Sequence, residues 1–131
     1  MRFSKKTALV LAAVALFVSG CGKTPKDRLQ GRWLGESIEN VPEPHLAKAM
    51  GWVKGTAFEF TGGKVTVTIP AESPRTGSFR VTEVNGDRLL VSFLREEGGR
   101  DEAELQFVGE GQLRWRIGDG REIVLVKSVQ N

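Results

Sequence analysis

From residue 31 to residue 117, apolar side chains recur at every second position, in short runs separated by glycine-rich turns. Phe58 and Phe60 flank Glu59. Val65, Val67 and Ile69 alternate with Thr66 and Thr68, and Phe79 and Val81 flank Arg80. Leu105 and Phe107 alternate with Glu104 and Gln106; Leu113, Trp115 and Ile117 alternate with Arg114 and Arg116. Alternation with period two gives each segment one buried and one wet face, which is how antiparallel strands read. Turn signals fall at Gly62-Gly63, Asn85-Gly86, Gly98-Gly99, Gly109–Gly111 and Asp119-Gly120. Short strands at such regular spacing specify an all-β barrel or sandwich.

The turns can be tested against the alternation. A two-residue Gly62-Gly63 loop pairs Thr61 with Lys64 and so faces Phe60 with Val65 and Phe58 with Val67. A three-residue Gly109–Gly111 loop pairs Val108 with Gln112, setting Phe107 opposite Leu113 and Leu105 opposite Trp115. A two-residue Asn85-Gly86 turn would instead face Phe79 with Ser92. A slip of one residue reverses every side chain. An odd loop is therefore expected there, with Gly86 as a left-handed bulge residue. Phe79 and Val81 then share a face with Leu89, Val91 and Phe93. The segment 122–127 is apolar on both faces, and its phase stays open.

Eight strands result, near 31–38, 56–61, 64–69, 76–84, 88–96, 101–108, 112–117 and 122–127. Two connections are long. One is Pro70–Pro74. In the other, Glu39–Gly55, Leu46, Met50 and Val53 recur at i, i+4 and i+7, which predicts a short amphipathic helix after Pro44. The expected fold is all-β: an eight-stranded antiparallel meander barrel with one short helix between strands 1 and 2. Closure removes the unpaired edges of an open sheet.

The first 21 residues are of another kind. Arg2, Lys5 and Lys6 precede an uncharged apolar run, Ala8–Val18, and Ser19-Gly20 supply small residues before Cys21. Charge, apolar stretch and small-residue site together read as a secretory signal. The run is short of the ~20 apolar residues that span a bilayer. Those three cations also carry the whole charge excess. Of 19 basic residues 16 then remain, against 16 acidic ones, so the body of the chain is neutral despite the formal +3. A nucleic-acid binder needs clustered basic surface, and a neutral body argues against that partner.

Val18-Ser19-Gly20-Cys21 resembles a bacterial lipobox: an aliphatic residue, a small one, Gly or Ala, then Cys. The resemblance implies diacylglyceryl transfer to the Cys21 sulfur, cleavage before Cys21 and acylation of the new amino terminus. The membrane would then be a partner through the Cys21 anchor. Gly22, where an Asp would retain such proteins in the inner membrane, points to the outer membrane and a periplasm-facing domain. Residues 1–20 are then the signal peptide, 21–28 the lipidated Cys and a polar tether, and 29–131 the barrel domain.

Gly31-Arg32-Trp33, on the first strand, resembles the Gly-x-Trp of lipocalin-like barrels. In those folds the Trp closes one barrel end, against a basic residue from near the last strand. Arg121 and Lys127 are both candidates.

The inward set is Trp33, Phe58, Phe60, Val65, Val67, Ile69, Phe79, Val81, Leu89, Val91, Phe93, Leu105, Phe107, Leu113, Trp115 and Ile117. An eight-stranded barrel is either filled by its own side chains or holds one small ligand, and both remain open. If it is hollow, Trp33, Phe58, Phe79, Phe93 and Trp115 are the candidate lining, with Met50 and Trp52 at the mouth of a lid formed by 43–54. Leu90 and Leu94 fall on the outer face.

Catalytic chemistry finds little footing. His45 stands alone between Pro44 and Leu46, with no Gly-x-Ser-x-Gly elbow in the chain. Glu102 and Glu104 point to solvent beside Arg114 and Arg116 as cross-strand ion pairs. Glu96-Glu97 and Asp101-Glu102 lack the spacing of a calcium loop, and no phosphate-cradling motif implies a cofactor. The expectation is a non-enzymatic, lipid-anchored envelope protein whose barrel takes a small apolar molecule or lipid. The alternative is a protein-binding module, such as an inhibitor of periplasmic hydrolases, acting through Pro70–Pro74 with Arg75 or through Arg95–Arg100.

Overall fold

A computed structural model describes residues 23–129. The signal segment and Cys21 lie outside the described residues. Helix α1 (Pro25–Leu29) leads into β1 (Gly31–Glu39), followed by helix α2 (Glu43–Lys54). Then come β2 (Ala57–Thr61), β3 (Lys64–Thr68), β4 (Arg75–Asn85), β5 (Arg88–Arg95), β6 (Arg100–Val108), β7 (Gln112–Gly118) and β8 (Arg121–Lys127). The strands form a closed antiparallel barrel in which each pairs with its neighbour in sequence and β8 returns to β1.

The two glycine hairpins take the expected registers. Phe58 faces Val67 and Phe60 faces Val65 across β2–β3; Phe107 faces Leu113 and Leu105 faces Trp115 across β6–β7. The β4–β5 hairpin reaches the expected faces by another route. Phe79 pairs with Phe93 and Val81 with Val91, but Asn85 pairs with Arg88 around a two-residue Gly86-Asp87 turn. The extra residue is Thr82, in a bulge inside β4, where its hydroxyl donates to the Leu90 carbonyl at 3.1 Å. Gly86 is left-handed, φ 64°. The odd residue moves into the strand because a bulge adds twist there and frees the turn to remain tight.

The open phase of the last strand is settled by burial. Ile123 and Leu125 point into the core and are fully buried. Ile117 is a correction. Expected inside, it is 38 % exposed, because the β7–β8 register shifts between Arg116 and Gly118 and breaks the alternation. Leu94, expected outside, is half exposed.

One barrel end is closed. The stretch read as a polar tether contains α1, started by a capping box: Thr24 Oγ1 accepts from the Asp27 amide at 3.1 Å, and Asp27 Oδ2 accepts from the Thr24 amide at 3.4 Å. Pro25 occupies the first turn, where a missing N–H costs nothing. The helix drops Leu29 into the core with no solvent exposure. Trp33 lies beneath, fully buried, its Nε1 donating to the Leu29 carbonyl at 2.8 Å. Of the two candidate bases, it is Lys127 whose ammonium sits over the Trp33 ring, 5.4 Å from its centroid.

Helix α2 packs at the opposite end. Val53 is its one fully buried residue, while Leu46 and Met50 are half-buried. The helix end approaches β1 at Gly35, where a Cβ would collide with the Val53 carbonyl oxygen, so only glycine fits. Thr56 fastens the exit. Its hydroxyl donates to the Trp52 carbonyl at 3.1 Å, and its carbonyl accepts from the Gly35 amide at 2.9 Å.

Candidate functional site

The barrel is full at the α1 end and hollow at the other. A cavity of about 340 Å³ opens between the β3–β4 loop and the β5–β6 hairpin. Its walls are Phe58, Val65, Val67, Phe93, Ala103 and Trp115. The hollow follows from two inward series ending on small residues at the same end. β4 runs Gly77-Phe79-Val81 and β6 runs Ala103-Leu105-Phe107. Phe79, Leu105 and Phe107 are buried toward the α1 end, while Gly77 and Ala103 line the cavity with little or no side chain. Gly77 also lets the β5 backbone approach: a Cβ there would collide with the Leu94 carbonyl.

The floor is aromatic. The Phe58 ring meets Trp115 edge-on at 5.1 Å between centroids and Phe93 at 6.2 Å. Such tilted contacts hold rings in place beyond what their burial contributes. The surface they present is apolar and pre-formed, and the volume lies at the low end of small-molecule pockets, roughly 300–1,000 Å³.

Charged groups ring the mouth. Arg75 pairs with Glu72 at 3.3 Å. Arg95 Nε lies 3.2 Å from Asp101 Oδ2, close enough for charge attraction, yet the nitrogen is out of solvent and makes no aligned hydrogen bond. The Arg95 guanidinium lies over Gly99, whose φ of 100° and lack of a side chain admit it. The β3–β4 loop turns at Ala71, φ 67°, between prolines 70 and 74, and Pro70 packs on Gly55 beyond α2.

Of the candidate lining residues, Phe58, Phe93 and Trp115 meet in this cavity. Trp33 lies in the closed end, and Phe79 packs below the cavity against Phe60, 4.9 Å between centroids. Met50 and Trp52 are on α2 at the hollow end, but neither lines the cavity, and Trp52 is 37 % exposed. The alternation did not single out Gly77 and Ala103, because small residues carry no hydropathy signal. The clue was present nonetheless: two inward series shrink toward the same barrel end.

Among the described residues no group of three His, Cys, Asp or Glu side chains converges, and His45 is exposed on α2. No helix of the described residues is long and apolar enough to cross a membrane. The cavity offers an aromatic and aliphatic wall for burial, with Arg75, Arg95 and Asp101 among its polar lining residues. Comparison with protein-family models, with curated proteins and with solved structures found no match to this chain.

Proposed function

We propose that this chain is a lipid-anchored protein of a bacterial envelope, without catalytic activity, whose barrel binds a small apolar molecule or the apolar part of a lipid. The observation that carries the binding half is the open apolar cavity over Phe58, Phe93 and Trp115. Aromatic walls at this scale reward any ligand that excludes water from them, at roughly 25 cal/mol per Å² of apolar surface. The anchoring half rests on Val18–Cys21 and the signal before it. A single acyl chain binds membranes only marginally, so the lipobox reading implies several chains.

The test is a titration of a fluorescent polyene fatty acid into the soluble chain beginning at Gly22. Saturable binding is expected, weakened at least about tenfold by Ala103→Leu, which fills the cavity with apolar volume. No saturable signal, or binding indifferent to Ala103→Leu, removes the ligand. Mass spectrometry of the native product tests the anchor separately. A chain beginning at Cys21 and carrying diacylglycerol is expected, and an uncut chain with a free thiol overturns it.

The protein-binding alternative keeps one observation in its favour. Leu94, half exposed, lies on the cavity rim between the two suspected loops, beside Arg75 and Arg95. A stoichiometric protein partner from periplasmic extract, lost in Leu94→Glu, would favour it over the ligand.

A further inference from the structure

The barrel end at which the chain enters is basic. Helix α1, the β2–β3, β4–β5 and β6–β7 hairpins and the last residue of β8 meet there. They assemble Lys23, Lys26, Arg28, Lys64, Arg88 and Lys127 against Asp27, Asp87 and Glu110. The grouping is spatial. Lys23, Arg28 and Lys127 line one depression of about 260 Å³ with Phe107 and Glu110. The Lys26 ammonium lies over Gly63, next to Lys64. Arg28 stacks on Phe107 at 3.9 Å and meets Asp87 at 3.3 Å. Arg28 and Arg88 have carboxylate partners; the four lysines have none within 4.0 Å among the described residues. At the opposite end Glu39, Glu43, Glu72, Glu96, Glu97, Asp101, Asp119 and Glu122 outnumber Lys48, Lys54, Arg75, Arg95, Arg100 and Arg121. A body that is neutral in sum is thus polarised along its axis.

We propose that this basic end docks on an anionic phospholipid surface, so that the cavity mouth faces away from the membrane. The inference rests on the anchoring reading for its partner: only Gly22 separates Lys23 from Cys21, two residue steps and no more than about 7 Å of chain. Lipid at Cys21 would hold Lys23 within a Debye length of the headgroups, about 10 Å at 0.1 M salt, and turn the barrel end that carries the other lysines toward them. Anchor and charge then act on the same face.

The test uses the soluble chain from Gly22, which contains every described element, in sedimentation with vesicles of phosphatidylcholine alone or mixed with phosphatidylglycerol. Binding is expected only to the anionic vesicles, and its loss at about 0.5 M salt, where screening is strong. The double variant Lys26→Glu/Lys64→Glu is expected to lower the partition coefficient at least about tenfold. Lys48→Glu/Lys54→Glu makes the same charge change on α2 at the other end, and is expected to stay within twofold. Equal loss in the two variants, or no preference for anionic vesicles, overturns the proposal. Because this chain lacks Cys21, the outcome is independent of whether the native protein is lipidated.

Discussion

Arg114 on β7 donates to Glu39 on β1 at 2.7 Å, over the outer face of the strand between them. It also donates to Glu122 on β8 at 3.0 Å. Arg116 continues the string to Glu122 at 3.6 Å and to Glu104 at 3.1 Å, and Glu104 reaches Arg88 at 4.0 Å. Five adjacent strands share this chain of alternating charge, and beneath its first span the outward Val124 is only 3 % exposed. The hydrogen bond to Glu39 first, then that to Glu122, raises the Arg114 pKa above its ordinary value. A raised arginine pKa stabilises the fold at every pH below the ordinary value and is lost only above the raised one, so this guanidinium adds no pH dependence near neutrality.

Arg114→Met is expected to lower stability by about 1 kcal/mol, since the pairs are partly exposed and screened. Urea unfolding at low and high salt checks this, with the difference shrinking as salt rises. In the double variant with Glu39→Gln the losses should not add, because one interaction is removed twice.

Two glycines should respond in opposite directions. Gly35→Ala places a methyl on the Val53 carbonyl and is expected to cost about 2 kcal/mol or more, through displacement of α2. Gly51, within α2, has open space where a methyl would sit, with nothing within 4 Å, and Gly51→Ala should gain about 0.5–1 kcal/mol of helix propensity. Thermal unfolding of the pair decides both.

The segment before β1 is expected to behave as part of the core. Leu29→Ala should cost about 2–5 kcal/mol, as deletion of a fully buried leucine does. Thr24→Ala, which removes the cap, should cost about 1 kcal/mol. A solvated linker would register neither change in chemical denaturation.

Trp33→Phe removes the donor to the Leu29 carbonyl and leaves that oxygen buried without a partner, at a cost of about 1–3 kcal/mol beyond the lost volume. Equilibrium unfolding measures it, and Lys127→Met should cost less because its ammonium contact is partly solvated.

Probe binding should separate the tryptophans. Trp115→Leu is expected to weaken fatty-acid binding severalfold, since it opens the cavity floor; Trp52→Phe, off the cavity, should leave the affinity unchanged. Competition titration of the two variants provides the comparison.

Strand number, order and most registers were legible because alternation and glycine turns are local signals. Thr82 was not, since a bulge inside a strand and an extra residue in the turn give the same parity. Helix α1 escapes the pattern although Thr24-Pro25-Lys26-Asp27 carries capping-box chemistry, because five residues are too few for periodicity to register. The interior was harder still. Phe58, Phe93 and Trp115 could be assigned inward, but whether space remains beside them depends on Gly77 and Ala103 lining the same cavity from separate strands, a relation between strands. Arg114 shows the same limit: its partners are on β1 and β8, not on the neighbouring β6.

Seven strand pairings join neighbours in the chain, and the eighth joins the first strand to the last. The hairpins can zip locally and early, whereas β1 must wait for β8, some ninety residues later, before its free side is satisfied. The slow step of refolding should therefore be ring closure, and its rate should fall with substitutions at the β1–β8 seam, such as Ile38→Ala, more than with equal losses in the hairpins.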